Sequence, residues 1–231
     1  MMVLCVAATA VLAVWLAAQL YWISQFSRLL RAARASAAIE DDLPKIAVVL
    51  SLRGADPFLD RCLKGLLAQN YPRYEVQIVV DSELDPAWDL VHRLAGDCRA
   101  PFVRIEPLKV RRQTCGLRIS SLIQAVSSLD ETYGAVVLVD ADVVPHANWL
   151  RELVGPMRDP AVGATTGIRW YMPEAHNPGT LVRYLWNAAA IPQMQAFGIG
   201  WGGSLAIRTD LLSDANLLDK WSQIMFEDTF T

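Results

Sequence analysis

Polar positions divide the chain into apolar blocks of two kinds. Beyond residue 44, the runs "KIAVVLS", "YEVQIVVD" and "GAVVLVD" (Gly134 to Asp140) are nearly unbroken Val, Ile and Leu, the pattern of strands buried on both faces. Between them, "PFLDRCLKGLLAQN" and "PAWDLVHRLAG" space their apolar residues three and four apart, as a helix with one packed face does. In the first of these the stripe is Phe58, Leu59, Cys62, Leu63, Leu66 and Leu67. Further strands are predicted at "PFVRIE" (Pro101 to Glu106) and "VGATTGIRW" (Val162 to Trp170), and a further helix at Leu117 to Leu129. Strand and helix patterns in alternation predict an α/β domain with a mostly parallel sheet.

The first 27 residues follow neither pattern. They contain no Asp, Glu, Lys, Arg or His, and at ~1.5 Å per helical residue they are long enough to cross a ~30 Å hydrocarbon core. This predicts one transmembrane helix. The rival reading is a cleaved signal peptide, since "ARASAA" (Ala33 to Ala38) offers small-residue cleavage sites. Against it, the amino end has no Lys or Arg and the apolar run exceeds the ~7–15 residues of a signal-peptide core. Arg28, Arg31 and Arg34 follow the segment and nothing basic precedes it, so the positive-inside bias predicts a cytoplasmic location for everything beyond. The expected organisation is an anchor at 1–27, a basic juxtamembrane segment and acidic linker at 28–44, and one folded domain at 45–231.

Length and composition change this picture little. A chain of 231 residues suits one domain with a sizeable core. The net charge is −3 with no basic run beyond the three arginines next to the membrane, which excludes the electrostatic footprint of a nucleic-acid partner. Cys5, Cys62, Cys98 and Cys115 form no CxxC pair or metal spacing and read as isolated thiols in a reducing compartment.

Candidate chemistry lies where two strands end in acids. Asp81 closes "IVVD" and Asp140 closes "VVLVD", which puts both on the edge of a parallel sheet where ligands bind. In an extended "DAD" segment, Asp140 and Asp142 point the same way at ~6.6 Å Cα separation. Two such carboxylates suit one hard cation, Mg²⁺ or Mn²⁺, which keeps open positions for phosphate oxygens and neutralises a diphosphate leaving group. The alternative is a pair of turn acids, one capping the helix expected in "HANWLRELV". His146 lies close enough to this segment to be a further candidate ligand.

Four segments together resemble a known family: Ser51 to Leu94 with its "NYPRYEV", then "VDADVVP", then "GGSLAIRTDLL", then the terminal "FEDTF". In order and spacing they are similar to family 2 glycosyltransferases of the ceramide glucosyltransferase type, over nearly all of residues 45 to 231. The resemblance implies a GT-A fold and inverting transfer of a sugar, glucose from UDP-glucose being the expected donor, to a lipid acceptor. It implies a nucleotide contact at Asp81, with Glu83 and Asp85 as alternatives in the same turn. It further implies donor phosphate and metal binding at Asp140 and Asp142, and a general base at Asp228 with Glu227 beside it. Arg118 stands where this family commonly has a Lys near the diphosphate, and a guanidinium can hold a phosphate bidentately; a solvated helix Arg is the alternative.

Two motifs mislead. "GIGWGG" (Gly198 to Gly203) satisfies G-x-G-x-x-G, but it leads into strand-like "SLAIR" rather than a helix. It reads instead as a turn at the acceptor cleft, with Gly202 in the turn and Trp201 either a wall for the acceptor or a core aromatic. "IRW" (Ile168 to Trp170) resembles part of this family's Q-x-x-R-W motif, but Thr166 fills the Gln position and the segment precedes Asp228. The chain stops at Thr231, short of that downstream motif and of the membrane segments usual in the family, so a C-terminally incomplete domain is expected. Outside the leading reading stand a processive polysaccharide synthase of the same superfamily, a nucleotidyltransferase, and a non-catalytic nucleotide-sugar binding module tethered to the membrane.

Overall fold

The computed structural model describes residues 2–37, 43–96, 102–171 and 177–225. The chain divides into two compact units, Met1–Ala35 with Trp170–Ile199, and Ser36–Arg169 with Gly200–Thr231.

The larger unit holds six strands: β1 (Lys45–Leu52), β2 (Tyr74–Val80), β3 (Phe102–Pro107), β4 (Tyr133–Val139), β5 (Ala164–Thr166) and β6 (Ser204–Arg208). They form one sheet in the order β3-β2-β1-β4-β6-β5. β1 pairs in parallel with β2 and β4, and β2 in parallel with β3, whereas β6 is antiparallel to both β4 and β5. The mostly parallel α/β sheet expected from the apolar runs is therefore present. Alternate residues serve opposite faces. Ile46, Val48, Leu50, Val76, Ile78, Val80, Val137 and Val139 pack in one cluster with the buried faces of helices at Leu59–Leu67, Pro86–Gly96 and Trp149–Val154. Val49, Val79, Val136, Leu138, Leu205 and Ile207 pack in another with helices at Leu117–Val126 and Leu217–Trp221.

The differences from expectation are local. In the helix Leu59–Leu67 the buried stripe is Leu59, Cys62, Leu63 and Leu66, while Phe58 is 42 % exposed at the helix start. The helix expected to reach Leu129 ends at Val126, and the one in "HANWLRELV" begins only at Trp149. The expected nine-residue strand at Val162 to Trp170 shrinks to Ala164–Thr166. At its end, Gly167 donates its N–H to the Ser204 carbonyl, and a Cβ at Gly167 would collide with the Ser204 side chain, so the chain closes on β6 and then turns away.

Where β1, β2 and β4 begin, three side chains tie the sheet together. The Lys45 amine lies 2.8 Å from Glu75 and 3.9 Å from the centre of the Tyr133 ring, and the Tyr133 hydroxyl donates to Glu75. Burial alone would raise the Glu75 pKa, but the hydrogen bonds from Lys45 and Tyr133 outweigh it and hold the carboxyl below its ordinary value. Hydrogen bonds from Thr132, Lys109 and Arg208 hold Asp130, Glu106 and Asp210 low in the same sense. A carboxyl depressed in the folded state binds fewer protons than its unfolded counterpart. The stability it contributes is complete above the unfolded value of about 4 and is lost as pH falls through the folded value. Melting temperature in detergent should therefore stay level from neutral pH down to about pH 5 and fall below about pH 4. Glu75→Gln should make that acid slope shallower; an unchanged slope would remove Glu75 from the account.

In the smaller unit, α1 (Met2–Ala37) is one continuous helix, and its Cys5–Ala32 stretch is long and apolar enough to cross a membrane. The helix thus runs ten residues past the anchor boundary expected at residue 27. Among its described side chains all are exposed except Ala18, Gln19, Trp22, Gln25, Phe26 and Ser27, a stripe close to helical spacing. A second helix in this unit, Pro178–Ala196, has no counterpart in the pattern-based expectations. It starts with Asn177 accepting from the Thr180 N–H at 3.0 Å and with Pro178 in its first turn. The segment before it is fixed to it by the Tyr171 N–H, which donates to the Asn187 side chain, and by Trp170 set edge-on to Tyr184 at 5.8 Å. Just past its end, Phe197 meets Trp22 of α1 edge-to-face at 5.9 Å.

Candidate active site

Asp81 and Asp140 follow the carboxyl ends of β2 and β4, the two parallel neighbours of β1, so they lie on one edge of the sheet. Each expected acid there is held by an arginine. Asp81, with its side chain 15 % exposed, takes Arg111 Nη2 onto both oxygens at 2.7 and 2.9 Å, and Arg53 approaches at 3.8 Å. Asp140 pairs with Arg118 at 2.5 Å, and the same guanidinium donates to the Gly202 carbonyl at 2.9 Å. Asp142 pairs with Arg169 at 3.1 Å, and that guanidinium stands 5.5 Å from the ring centre of Trp201.

The structure thus gathers five of the expected residues, Asp140, Asp142, Arg118, Trp201 and Gly202, around the turn that precedes β6. The backbone locks this turn to the "DAD" segment: the Asp140 N–H donates to the Gly203 carbonyl at 3.2 Å, and the Trp201 N–H donates to Thr166 Oγ1 at 2.9 Å. Gly203 fits only as glycine. A Cβ there would lie 2.5 Å from Asp140 Oδ2 and inside the Trp201 ring. Because a strand follows it, "GIGWGG" is not a dinucleotide-binding loop.

Other expected residues take different places. Glu83 is exposed in the turn after β2. Asp85, the other alternative to Asp81, accepts from the Gly54 N–H with both oxygens, at 3.0 and 2.9 Å, and from the Ala87 N–H at 2.8 Å. It caps the helix Pro86–Gly96 and fixes the loop after β1, where Gly54 has φ +77°. His146 faces Glu152 at 3.5 Å. Asp228 and Glu227 lie outside the described residues.

Asp140 and Asp142 present only carboxylate oxygens, a donor set that fits Mg²⁺ or Mn²⁺. Among the described residues no cluster of three or more His, Cys, Asp or Glu could hold a metal. The negative field of the pair registers in a neighbour. Cys62 Sγ sits buried 3.6 Å from the Asp140 carbonyl oxygen, and burial, then the charges of Asp142 and Asp140, push its thiol pKa up to about 12.

The arginines Arg53, Arg111 and Arg169 and the anchor Thr166 were not read from the sequence as site residues. Two signals could have raised the question: the adjacent pair Arg111 and Arg112 in a short polar segment after a strand, and the "IRW" segment with Thr166 before it, which was set aside on its order in the chain.

The sequence profile of glycosyl transferase family 21 matches residues 3–230. The fold is similar to that of the mannosyltransferase PcManGT from Pyrobaculum calidifontis, solved with GDP-Man and Mn²⁺. That likeness has a TM-score of 0.56 at 21 % identity, over 84 % of this chain and 55 % of that one. It is also similar to TarS of S. aureus, with a TM-score of 0.50 at 14 % identity, over 80 % of this chain and 35 % of that one. The chain thus spans about half of PcManGT and a third of TarS. The motifs resemble family 2, the profile match is to family 21, and the two readings meet in the GT-A architecture that the sheet displays. Since the match covers residues 3–230, the chain belongs to glycosyl transferase family 21.

Proposed function

We propose that this glycosyltransferase moves a hexose, glucose from UDP-glucose, onto a lipid acceptor at the cytoplasmic face of the membrane, as the ceramide glucosyltransferase resemblance implies. The observation that carries the reading is the paired arrangement at the end of β4. Asp140 and Asp142 leave the strand beside the Gly202–Gly203 turn, each balanced by its own arginine. Carboxylates that already sit among guanidinium groups suit a ligand that is itself an ion pair, a diphosphate with a divalent cation.

In this reading Asp140 and Asp142 would hold Mg²⁺ or Mn²⁺, a cation that would supply charge neutralisation to a diphosphate leaving group. Arg118 and Arg169 turn from the carboxylates toward phosphate oxygens. Asp81, positioned by Arg111, contacts the nucleoside, with Glu83 at the rim. Trp201 and the backbone at Gly202 wall the acceptor, and Asp228, flanked by Glu227, removes the acceptor's proton. One feature of the described chain supports Asp228 in that role. The Gly116 N–H donates to the Ile224 carbonyl, and the Met225 carbonyl packs against Gly116, at the start of the helix that carries Arg118. Asp228 follows Met225 by three residue steps, a reach of at most about 11 Å. The apolar span of α1 supports the membrane location, since a tethered enzyme meets a substrate that stays in the bilayer.

Calorimetry of UDP binding tests the centre of the proposal. Wild type should bind UDP more tightly with Mg²⁺ or Mn²⁺ than with EDTA, and Asp142→Asn should lose most of that difference. Equal metal dependence in the two proteins would remove Asp142 from the site.

A further inference from the structure

We infer that the helix Pro178–Ala196 (here αM) is a second membrane-contacting element, lying in the headgroup zone of the bilayer beside α1. The inference rests on α1 crossing the membrane.

αM is amphipathic the wrong way round for water. Leu181, Val182, Leu185, Trp186 and Ala189 fall on one face at helical spacing, and that face points outward, with Val182 64 %, Leu185 63 % and Trp186 79 % exposed. Phe197 and Ile199 extend the patch past the helix end at 67 % and 50 %. The opposite face is the covered one, and it carries Tyr184, Asn187, Ile191 and Pro192. An apolar face of this size marks an interaction site.

Three observations select lipid as the occupant. Residues 177–199 contain no Asp or Glu and a single cation, Arg183, which stacks at 4.2 Å on Tyr171. A protein-binding groove has no need of so complete an exclusion of acids, whereas an anionic headgroup layer does. The patch has Trp186 at its centre, a side chain of the kind that partitions to the membrane interface. Finally, it is continuous with a membrane segment: αM and α1 belong to the same compact unit, and Phe197 contacts Trp22 inside the Cys5–Ala32 span. An apolar patch attached to a bilayer-spanning helix is delivered to the bilayer surface by that attachment.

The chain enters this segment one residue after Arg169, the partner of Asp142, and leaves it at Gly200, one residue before Trp201.

Depth measurement by spin-label accessibility tests the inference on the whole chain in anionic liposomes of phosphatidylcholine and phosphatidylglycerol. The nitroxide is carried on p-acetylphenylalanine, which leaves the native cysteines alone. Sites are Val182, Leu185 and Trp186 on αM, Val11 in α1, and Lys64, an exposed residue of the larger unit. The αM sites should favour oxygen over an aqueous nickel chelate at a depth of about 5–10 Å below the phosphates. Val11 should lie deeper and Lys64 should be fully aqueous. Aqueous αM sites with a lipid-buried Val11 would overturn the inference and leave the anchor standing. Sites on αM screened from both reagents would overturn it in favour of a protein cover, with dipolar broadening between labelled copies marking a second molecule of this chain and its absence marking a segment following Thr231. An aqueous Val11 would overturn the anchor and this inference together.

Discussion

Asp228→Asn in the complete gene product should lower sugar transfer by about 10²–10⁴ while leaving donor affinity unchanged, the range a general base contributes. Inverting transfer needs a carboxylate to take the proton from the acceptor hydroxyl as its oxygen attacks opposite the departing diphosphate. The donor, in contrast, is assigned to Asp81, Asp140, Asp142 and the cation, none of which the substitution touches. Asn keeps the volume of Asp and removes only the proton acceptor, so a packing defect does not account for a loss of that size. The measurements are single-turnover transfer and UDP-sugar affinity on the same preparations. Transfer within about threefold of wild type would show that no transition-state interaction was lost. In that case Glu227 becomes the first alternative base.

The second large effect is expected at Gly203. A methyl group there meets the Trp201 ring and lies 2.5 Å from Asp140 Oδ2, and both neighbours are constrained, Asp140 by Arg118 and Trp201 by Thr166. Overpacking of this kind costs about 1–3 kcal/mol. If the strain is relieved by moving Asp140, it appears as a loss of donor affinity of about fivefold to a hundredfold, since each 1.4 kcal/mol is a factor of ten. Gly203→Ala should therefore bind UDP with Mn²⁺ at least about fivefold more weakly. Gly96→Ala, where nothing lies within 4 Å of the added carbon, serves as the control and should bind normally. A Gly203→Ala protein with wild-type affinity would detach the Trp201–Gly203 turn from the donor site.

The sequence showed the scaffold better than the site, and the reasons are physical. β1, β2 and β4 are buried on both faces, so their composition alone distinguishes them from helices and loops. β5 is an edge strand of three residues with an exposed–intermediate–exposed pattern. Its limits are set by Gly163 and Gly167 meeting Leu211 and Ser204, contacts that no local pattern contains. The helix Pro178–Ala196 escaped because the Ala188–Ala190 run and Pro192 inside it interrupt the apolar spacing by which a helix is read. In the site, Asp81, Asp140 and Asp142 were legible as acids at strand ends and Arg118 as a phosphate-holding cation, but the arginines that pair with Asp81 and Asp142 were not read as site residues. Arg111 and Arg169 come from positions 30 and 27 residues away, a separation that no local pattern bridges. Asp85 shows the converse, an acid in the expected turn that the structure assigns to two backbone N–H groups.

The placement of β6 bears on how the protein is made. It is the fifth strand across the sheet but the last in the chain, and it inserts antiparallel between β4 and β5, matching Ala135 with Arg208. While the ribosome is still synthesising the intervening residues, β1, β2 and β3 can align with β4, but the far side of β4 displays unpaired N–H and C=O groups. An uncovered strand edge of that kind recruits other strands and aggregates. The segment that separates β5 from β6 contains the helix Pro178–Ala196, so the vulnerable interval lasts until that apolar helix has emerged.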